Sequence, residues 1–223
     1  MLPEMIIHNT TSLDGSLSGF HADIGLHYRI LGILGPDAML VGSGTARTGA
    51  EMFTGSVPPE EAADLEKPSS DTGSAGTYWI IPDSRGILEG VLHVFRRSGY
   101  CRDVIVLVSE RTPASYIEYL RQRNYDYVIS GTDHADYRQA LEICNERYGF
   151  RKIVTDCGST LCGILLDQGL VSMISLVVTP VIAGKDCLCL FGKSTETEVK
   201  LELVRHEVFD SGHLHVLYRL TGR

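Results

Sequence analysis

Two short segments combine glycine, hydroxyl and carboxylate side chains in the order that a ligand-binding turn requires. They are Val41-Gly42-Ser43-Gly44-Thr45 and Thr155-Asp156-Cys157-Gly158-Ser159-Thr160-Leu161. Each follows an apolar run and precedes a stretch with helical spacing. Small residues let a ligand approach the main chain, and the first turn of the following helix offers N–H groups that lack a partner inside the helix. In an open α/β sheet, ligands sit outside the carboxyl ends of the strands, so two such turns could clamp the pyrophosphate of a dinucleotide. The competing reading is turn chemistry with no ligand. Neither segment is G-x-G-x-x-G or a P-loop, and both readings stay open on these residues alone.

Two further clusters follow apolar runs. Asp83-Ser84-Arg85 offers a hydroxyl and a guanidinium that could hold the 2′-phosphate of NADPH, or it is an ordinary exposed turn. Thr11-Ser12-Leu13-Asp14-Gly15, with Asn9 before it and Asp23 after it, would face the same crevice, although Asp-Gly is also a plain turn signal. Arg47, Lys185 and Lys193 are the cations that could meet a substrate phosphate.

Other chemistries find little support. The eight histidines include no H-x-x-x-H or H-E-x-x-H, and His213 and His215 read as half-exposed residues of a hairpin strand. The six cysteines form no C-x-x-C, so no metal site is expected. Ser43 lacks the G-x-S-x-G form of a nucleophile elbow. Cys157 stands at a helix start, where it is either a nucleophile or a small packing residue. A hydride-transfer enzyme would need neither, because a cofactor carries that chemistry.

The elements that must position these residues alternate. Apolar strands are expected at Met5–Asn9, Ala38–Val41, Thr77–Ile81, Val104–Val108, Tyr127–Ile129, Lys152–Thr155 and Met173–Val178. Helical spacing covers Ile24–Leu34, the stretch after Thr112-Pro113 to Arg123, Asp133–Tyr148 and Thr160–Asp167. Thr10 to Gly19 reads as a polar loop. Residues 49–76, with Pro58-Pro59, Glu60, Glu61 and a Ser/Gly tract, read as a surface loop inserted into one domain spanning 1–223. Val199–Phe209 and His213–Leu220 around Asp210-Ser211-Gly212 make a β-hairpin. The order implies an α/β fold, three layers α/β/α, with a mainly parallel central sheet and a C-terminal antiparallel hairpin.

The net charge of −8 argues against a nucleic-acid partner, which needs a basic face to displace counterions. The sequence contains no apolar run of about 18 residues and no basic start followed by a cleavage site, so neither a membrane span nor secretion is expected, and the location is taken as cytoplasmic.

Taken in order, these segments resemble the reductase domain of the riboflavin-biosynthesis family, a branch of the dihydrofolate-reductase-like fold. The resemblance rests on Thr11–Gly15, Asp37–Thr45, Pro82–Gly86, the block from Ile153 through Asp156 and Leu161 to Gly169-Leu170-Val171, and Thr179–Gly184. It implies NADPH-dependent reduction of a ribosylamino-pyrimidine phosphate to its ribitylamino form. By position, Gly42, Ser43, Gly44 and Thr45, together with Gly158, Ser159, Thr160 and Leu161, would bind the cofactor phosphates. Ser84 and Arg85 would lie near its adenosine end. Asn9, Ser12, Asp23, Thr45 and Asp156 would face the substrate, with Asp156 and Asp23 orienting the sugar or assisting proton transfer.

The chain departs from the family pattern in three places. Asp156-Cys157-Gly158 stands for the usual Glu-Gly-Gly, Gly49 and Ala50 stand near the usual Asp and Pro, and Val171-Ser172-Met173 stands for Val-Asp-Glu. The H-x-E and P-C-x-x-C signatures of the zinc deaminase domain often found beside this reductase do not occur, so a stand-alone reductase of the archaeal and fungal kind is expected. A homodimer is expected from the same resemblance. The alternatives are a reductase of this fold acting on another small carbonyl, imine or pterin-like compound, and a non-catalytic nucleotide-binding protein.

Overall fold

In chain order the elements are β1 (Glu4–Ser12), α1 (Ile24–Leu34), β2 (Ala38–Leu40), α2 (Ser43–Thr54), β3 (Thr77–Pro82), α3 (Leu92–Arg97), β4 (Cys101–Val108) and α4 (Ala114–Gln122). They continue with β5 (Asp126–Ile129), α5 (Tyr137–Tyr148), β6 (Lys152–Thr155), α6 (Ser159–Asp167), β7 (Met173–Thr179), β8 (Lys200–Val208) and β9 (Leu214–Thr221). The computed structural model describes residues 1–55, 57–68, 76–184, 187–191 and 198–221, apart from the side chains of Phe53 and Thr54. The chain divides into two compact units, Asp37–Phe150 and Leu2–Pro36 with Arg151–Arg223.

In the first unit, β2, β3, β4 and β5 pair in parallel in the order β5-β4-β3-β2. Val104, Ile105, Val106, Leu107 and Val108 are each fully buried, as an uninterrupted apolar strand covered on both faces must be. Each such side chain contributes about 1.5–3 kcal/mol relative to exposure. In the second unit β6, β1 and β7 are parallel, and β9 then β8 continue antiparallel. This is the expected α/β class with a mainly parallel sheet and a C-terminal hairpin.

Several boundaries differ from the sequence reading for identifiable reasons. The expected loop from residue 49 is helix as far as Thr54. Gly44 and Gly49 weaken the helical signal there by about 1 kcal/mol each, and burial of Ala46 and Ala50, one turn apart, compensates. A short 3-10 turn, Ala62–Leu65, follows. The acidic residues around it are tied down within the unit. Arg123 donates to Glu60 through two nitrogens at 2.8 and 2.7 Å, Arg97 Nε donates to Asp64 at 2.8 Å, and His93 Nε2 donates to the Pro58 carbonyl at 2.8 Å. Residues 56 and 69–75 of that expected loop lie outside the described residues.

α3, six residues long, is too short to show a period. β1 runs on to Ser12, where the polar composition had suggested a loop; every residue from Met5 to Ser12 is buried. α4 is capped at Pro113, one residue later than expected, and α5 starts at Tyr137 with Asp136 as its cap. In α1 the buried positions are Leu26, His27, Ile30 and Leu34, whereas Ile24 and Tyr28 of the apolar repeat are exposed.

Candidate functional site

In the first unit, β2 ends at Leu40, and Gly42 caps α2 in extended conformation with no side-chain hydrogen bond to the helix start. α1 and α5, by contrast, have Asp23 and Asp136 accepting from Leu26 and Gln139 N–H groups. The first N–H groups of α2 are therefore left for another acceptor. Gly44 and Thr45 are exposed and Ser43 is half-buried. A Cβ on Gly44 would meet nothing within 4 Å, and the residue has no positive φ. Neither conformation nor a protein neighbour requires glycine there, and a phosphate approaching the main chain would use the open space.

Asp83-Ser84-Arg85 forms a rigid turn. The buried Asp83 carboxylate accepts from the N–H of Ile87 at 3.0 Å and of Leu88 at 2.9 Å. The Ser84 hydroxyl accepts from Ala135 N–H at 3.2 Å, which leaves its own proton free to donate. Gly86 has φ +73°, and a Cβ on it would lie 2.8 Å from Tyr116 Cγ, so the turn admits only glycine. Arg85 is exposed on this scaffold, and among the described residues it has no hydrogen-bond or ion-pair partner.

In the second unit, β6 ends at Thr155, and Gly158 caps α6, again with no side-chain bond to the helix start and with open space around its Cβ position. Ser159 and Leu161 are buried and Thr160 is exposed. Asp156 keeps partial exposure as a residue, yet its Oδ1 is shut off from solvent and has no partner among the described residues. That burial of the carboxyl raises its pKa and favours the protonated form. Asn9, buried in the second half of β1, donates from Nδ2 to the Cys157 carbonyl at 3.3 Å and so holds the turn that carries Asp156.

The other expected substrate residues are engaged locally. The Ser12 hydroxyl donates to Asp14 and accepts from Ser16 N–H at 3.0 Å. Asp14 in turn accepts from the N–H groups of Ala183 at 3.0 Å and Gly184 at 3.1 Å. The Ser12 bond, followed by these two, lowers the Asp14 pKa to about 2. Asp23 is exposed and accepts from Leu26 N–H at 2.9 Å as the cap of α1. Arg47 pairs with Glu51 on α2 at 3.3 Å, while Lys185 and Lys193 lie outside the described residues.

The sequence reading missed two features. The Asp14 latch joins residues far apart in sequence, so no local motif announces it. His215, expected at the surface, is 3% exposed and bonded to Ser175. Its alternation with His213 was visible, but which side of the hairpin is covered was not. Among the described residues, no group of three or more His, Cys, Asp or Glu could hold a metal ion, and no helix is long and apolar enough to cross a membrane.

A family model, the RibD C-terminal domain, matches residues 3–215. No curated protein sequence matches the chain significantly. Among solved structures, the fold is similar to that of a pyrimidine reductase-like protein from Corynebacterium diphtheriae, 17% identical over 99% of this chain and 93% of that one, with a TM-score of 0.70. It is similar to the Saccharomyces cerevisiae riboflavin biosynthesis reductase Rib7, at 18% identity over 99% and 90% of the two chains and a TM-score of 0.65. RibD of Acinetobacter baumannii is 15% identical with a TM-score of 0.69, and 99% of this chain spans 58% of that one. At these identities the structural likeness is one of fold.

Proposed function

The chain belongs to the RibD C-terminal domain family, and from that premise we propose that it is a reductase of riboflavin biosynthesis. It would convert a ribosylamino-pyrimidine phosphate to the ribitylamino compound, with NADPH as the hydride donor. The observation that carries this reading is Asp156 Oδ1, shut off from solvent and without a partner among the described residues, two positions before the glycine cap of α6.

The hydride comes from the bound cofactor. The glycine-capped start of α2, Gly42 to Thr45, would hold cofactor phosphate through its main-chain N–H groups, and the start of α6, Gly158 to Leu161, offers cofactor donors of the same kind. Ser84 and Arg85 would hold the adenosine 2′-phosphate, which NADH lacks; a hydroxyl proton and a guanidinium that have no acceptor among the described residues suit that anion. Opening the ribose ring frees an oxygen that must take up a proton, and the protonated Asp156 carboxyl is the donor. Asn9 fixes the turn on which that carboxyl stands. Asp23 and Ser12 remain assigned to the substrate side as groups at the ends of α1 and β1, with Thr45 at the first helix start.

A homodimer and a cytoplasmic location belong to the same reading. NADPH and a phosphorylated intermediate are solutes of the cell interior. The β8–β9 hairpin places Leu201, Leu203, Val208 and Leu214 on one face, exposed at 43%, 49%, 69% and 38%; a second copy would cover them.

Titration of the purified protein with NADPH and NADH, followed by nicotinamide fluorescence, tests the cofactor. NADPH oxidation in the presence of the ribosylamino-pyrimidine phosphate tests the substrate. Binding of NADPH with turnover is expected, and a protein that binds neither nucleotide is not a reductase.

A further inference from the structure

The sulfurs of Cys157 and Cys162 lie 2.9 Å apart, less than an ångström more than a disulfide bond of about 2.05 Å. Both are free thiols, 1% and 0% exposed. Cys157 stands on the turn between Asp156 and Gly158, and Cys162 in the first half of α6. The Cys157 carbonyl accepts from two side chains, Cys162 Sγ at 3.2 Å and Asn9 Nδ2 at 3.3 Å. The bonding state of the sulfurs is thus coupled to the carbonyl that holds the Asp156 turn in place.

We propose that Cys157 and Cys162 are a reversible dithiol–disulfide site, oxidised by a low-molecular-weight disulfide, and that closing the bond displaces Asp156 and switches the enzyme down. The effect on activity rests on the reductase reading above; the couple itself does not. The Cys157 thiolate attacks one sulfur of the small disulfide and expels a thiolate. The Cys162 sulfur then attacks Cys157 Sγ in the mixed disulfide and expels the second. Two protein thiols are oxidised, one small disulfide is reduced to two thiols, and the two protein protons end on the leaving groups.

Closing the bond removes the Cys162 S–H, one of the two donors to the Cys157 carbonyl, and draws the turn towards α6. A displacement of about 1 Å at a reacting group costs on the order of 100-fold in rate. The hydrogen bond with Cys157 and burial both hold the Cys162 thiol protonated. Exchange therefore proceeds through transient opening of the turn and is slow. The reduced enzyme tolerates brief oxidant exposure and responds to sustained exposure.

The test incubates the native protein with oxidised glutathione, quenches with acid and alkylating agent, and reads intact mass, a peptide map and activity. The expected product has lost two hydrogens, with the link mapped between Cys157 and Cys162. Activity should fall about 100-fold and return with dithiothreitol, while Cys162→Ala, which has no second thiol to close the bond, should stop at a glutathione adduct on Cys157. A glutathione adduct on the unsubstituted protein without the internal bond would overturn the couple. So would a bond that forms only in the unfolded chain. A closed bond with unchanged turnover would overturn the switch. The map of the unsubstituted protein decides even if Cys162→Ala does not fold. A reduced protein without turnover would count against the reductase reading and leave the mass result to decide the couple.

Discussion

Nδ1 of His8 on β1 lies 2.9 Å from the hydroxyl of Ser175 on β7, a bond between residues 167 positions apart in sequence. Its polarity follows from its neighbours. His8 Nε2 lies 3.1 Å from the His27 carbonyl, which can only accept, so the neutral ring carries its proton on Nε2. Nδ1 must then accept from Ser175, and the Ser175 oxygen accepts from His215 Nε2 at 2.9 Å. His27 stacks on His8 at 4.5 Å and meets Thr10 Oγ1 at 3.1 Å. The string in this polarity needs a neutral His8, since a second proton on that ring would face a hydroxyl already donating to it.

This string sets a pH dependence of stability. Burial, with the nearby His27 and His215, lowers the His8 pKa from 6.5 to about 4 in the folded protein. The folded state therefore binds that proton more weakly than the unfolded chain. The resulting stability is complete above 6.5 and is lost as pH falls from there to about 4, at about 1.4 kcal/mol per pH unit and about 3 kcal/mol in all. His27 and His215, also lowered by burial, add in the same direction. Thermal unfolding between pH about 7 and about 5 should show Tm falling before the carboxylates titrate. A flat Tm over that window would mean that the histidines are not held neutral.

The parts of the fold that were legible in sequence are those written locally. α1 spans Ile24–Leu34 as its spacing implied, β6 spans Lys152–Thr155, and Gly149 closes α5 in left-handed conformation at φ 71°. Both glycine turns also stand where apolar runs meet helices. Interactions between residues remote in sequence were not legible. Glu60 read as part of a loose acidic patch because its partner Arg123 is 63 positions away. The His8 string was hidden because β1, β7 and β9 are brought side by side only by the sheet order. Cys157 read as a small residue in a glycine turn, since C-x-x-x-x-C has no motif value until α6 turns the second sulfur back onto the first.

Gly44→Val separates the ligand reading of the α2 start from plain turn chemistry. The site has room for the side chain and no positive φ, and valine is a better helix former than glycine, so folding should be unaffected. A β-branched side chain over the first turn would block the main-chain N–H groups, and NADPH affinity should fall about tenfold or more, as loss of one or two hydrogen bonds to a charged group would give. Unchanged NADPH binding would remove this turn from the cofactor site.

Arg85→Ala tests cofactor choice. Arg85 is exposed and has no partner among the described residues, so the substitution should leave stability within about 0.5 kcal/mol. A charge-assisted bond to a 2′-phosphate is worth about 1.5–3 kcal/mol, so NADPH should bind about ten- to a hundredfold more weakly. NADH, without that phosphate, should bind the variant and the parent equally. Equal losses for both nucleotides would place Arg85 at another part of the cofactor.

Asp156→Asn addresses the proton. The side chain keeps its shape and gains a permanent N–H, but it cannot release a proton to a sugar oxygen. Turnover should fall about 10²- to 10⁴-fold, the usual range for a lost general acid, while NADPH affinity stays within a few-fold. Burial raises the Asp156 pKa and favours the protonated form, which the proposed proton transfer requires. The parent should lose activity as pH rises through that pKa, and the variant's residual rate should lack this alkaline decline. Asp156→Glu, which restores the usual family residue, should retain the decline. If cofactor affinity collapses together with turnover in Asp156→Asn, the carboxyl belongs to the cofactor side and the proton comes from elsewhere.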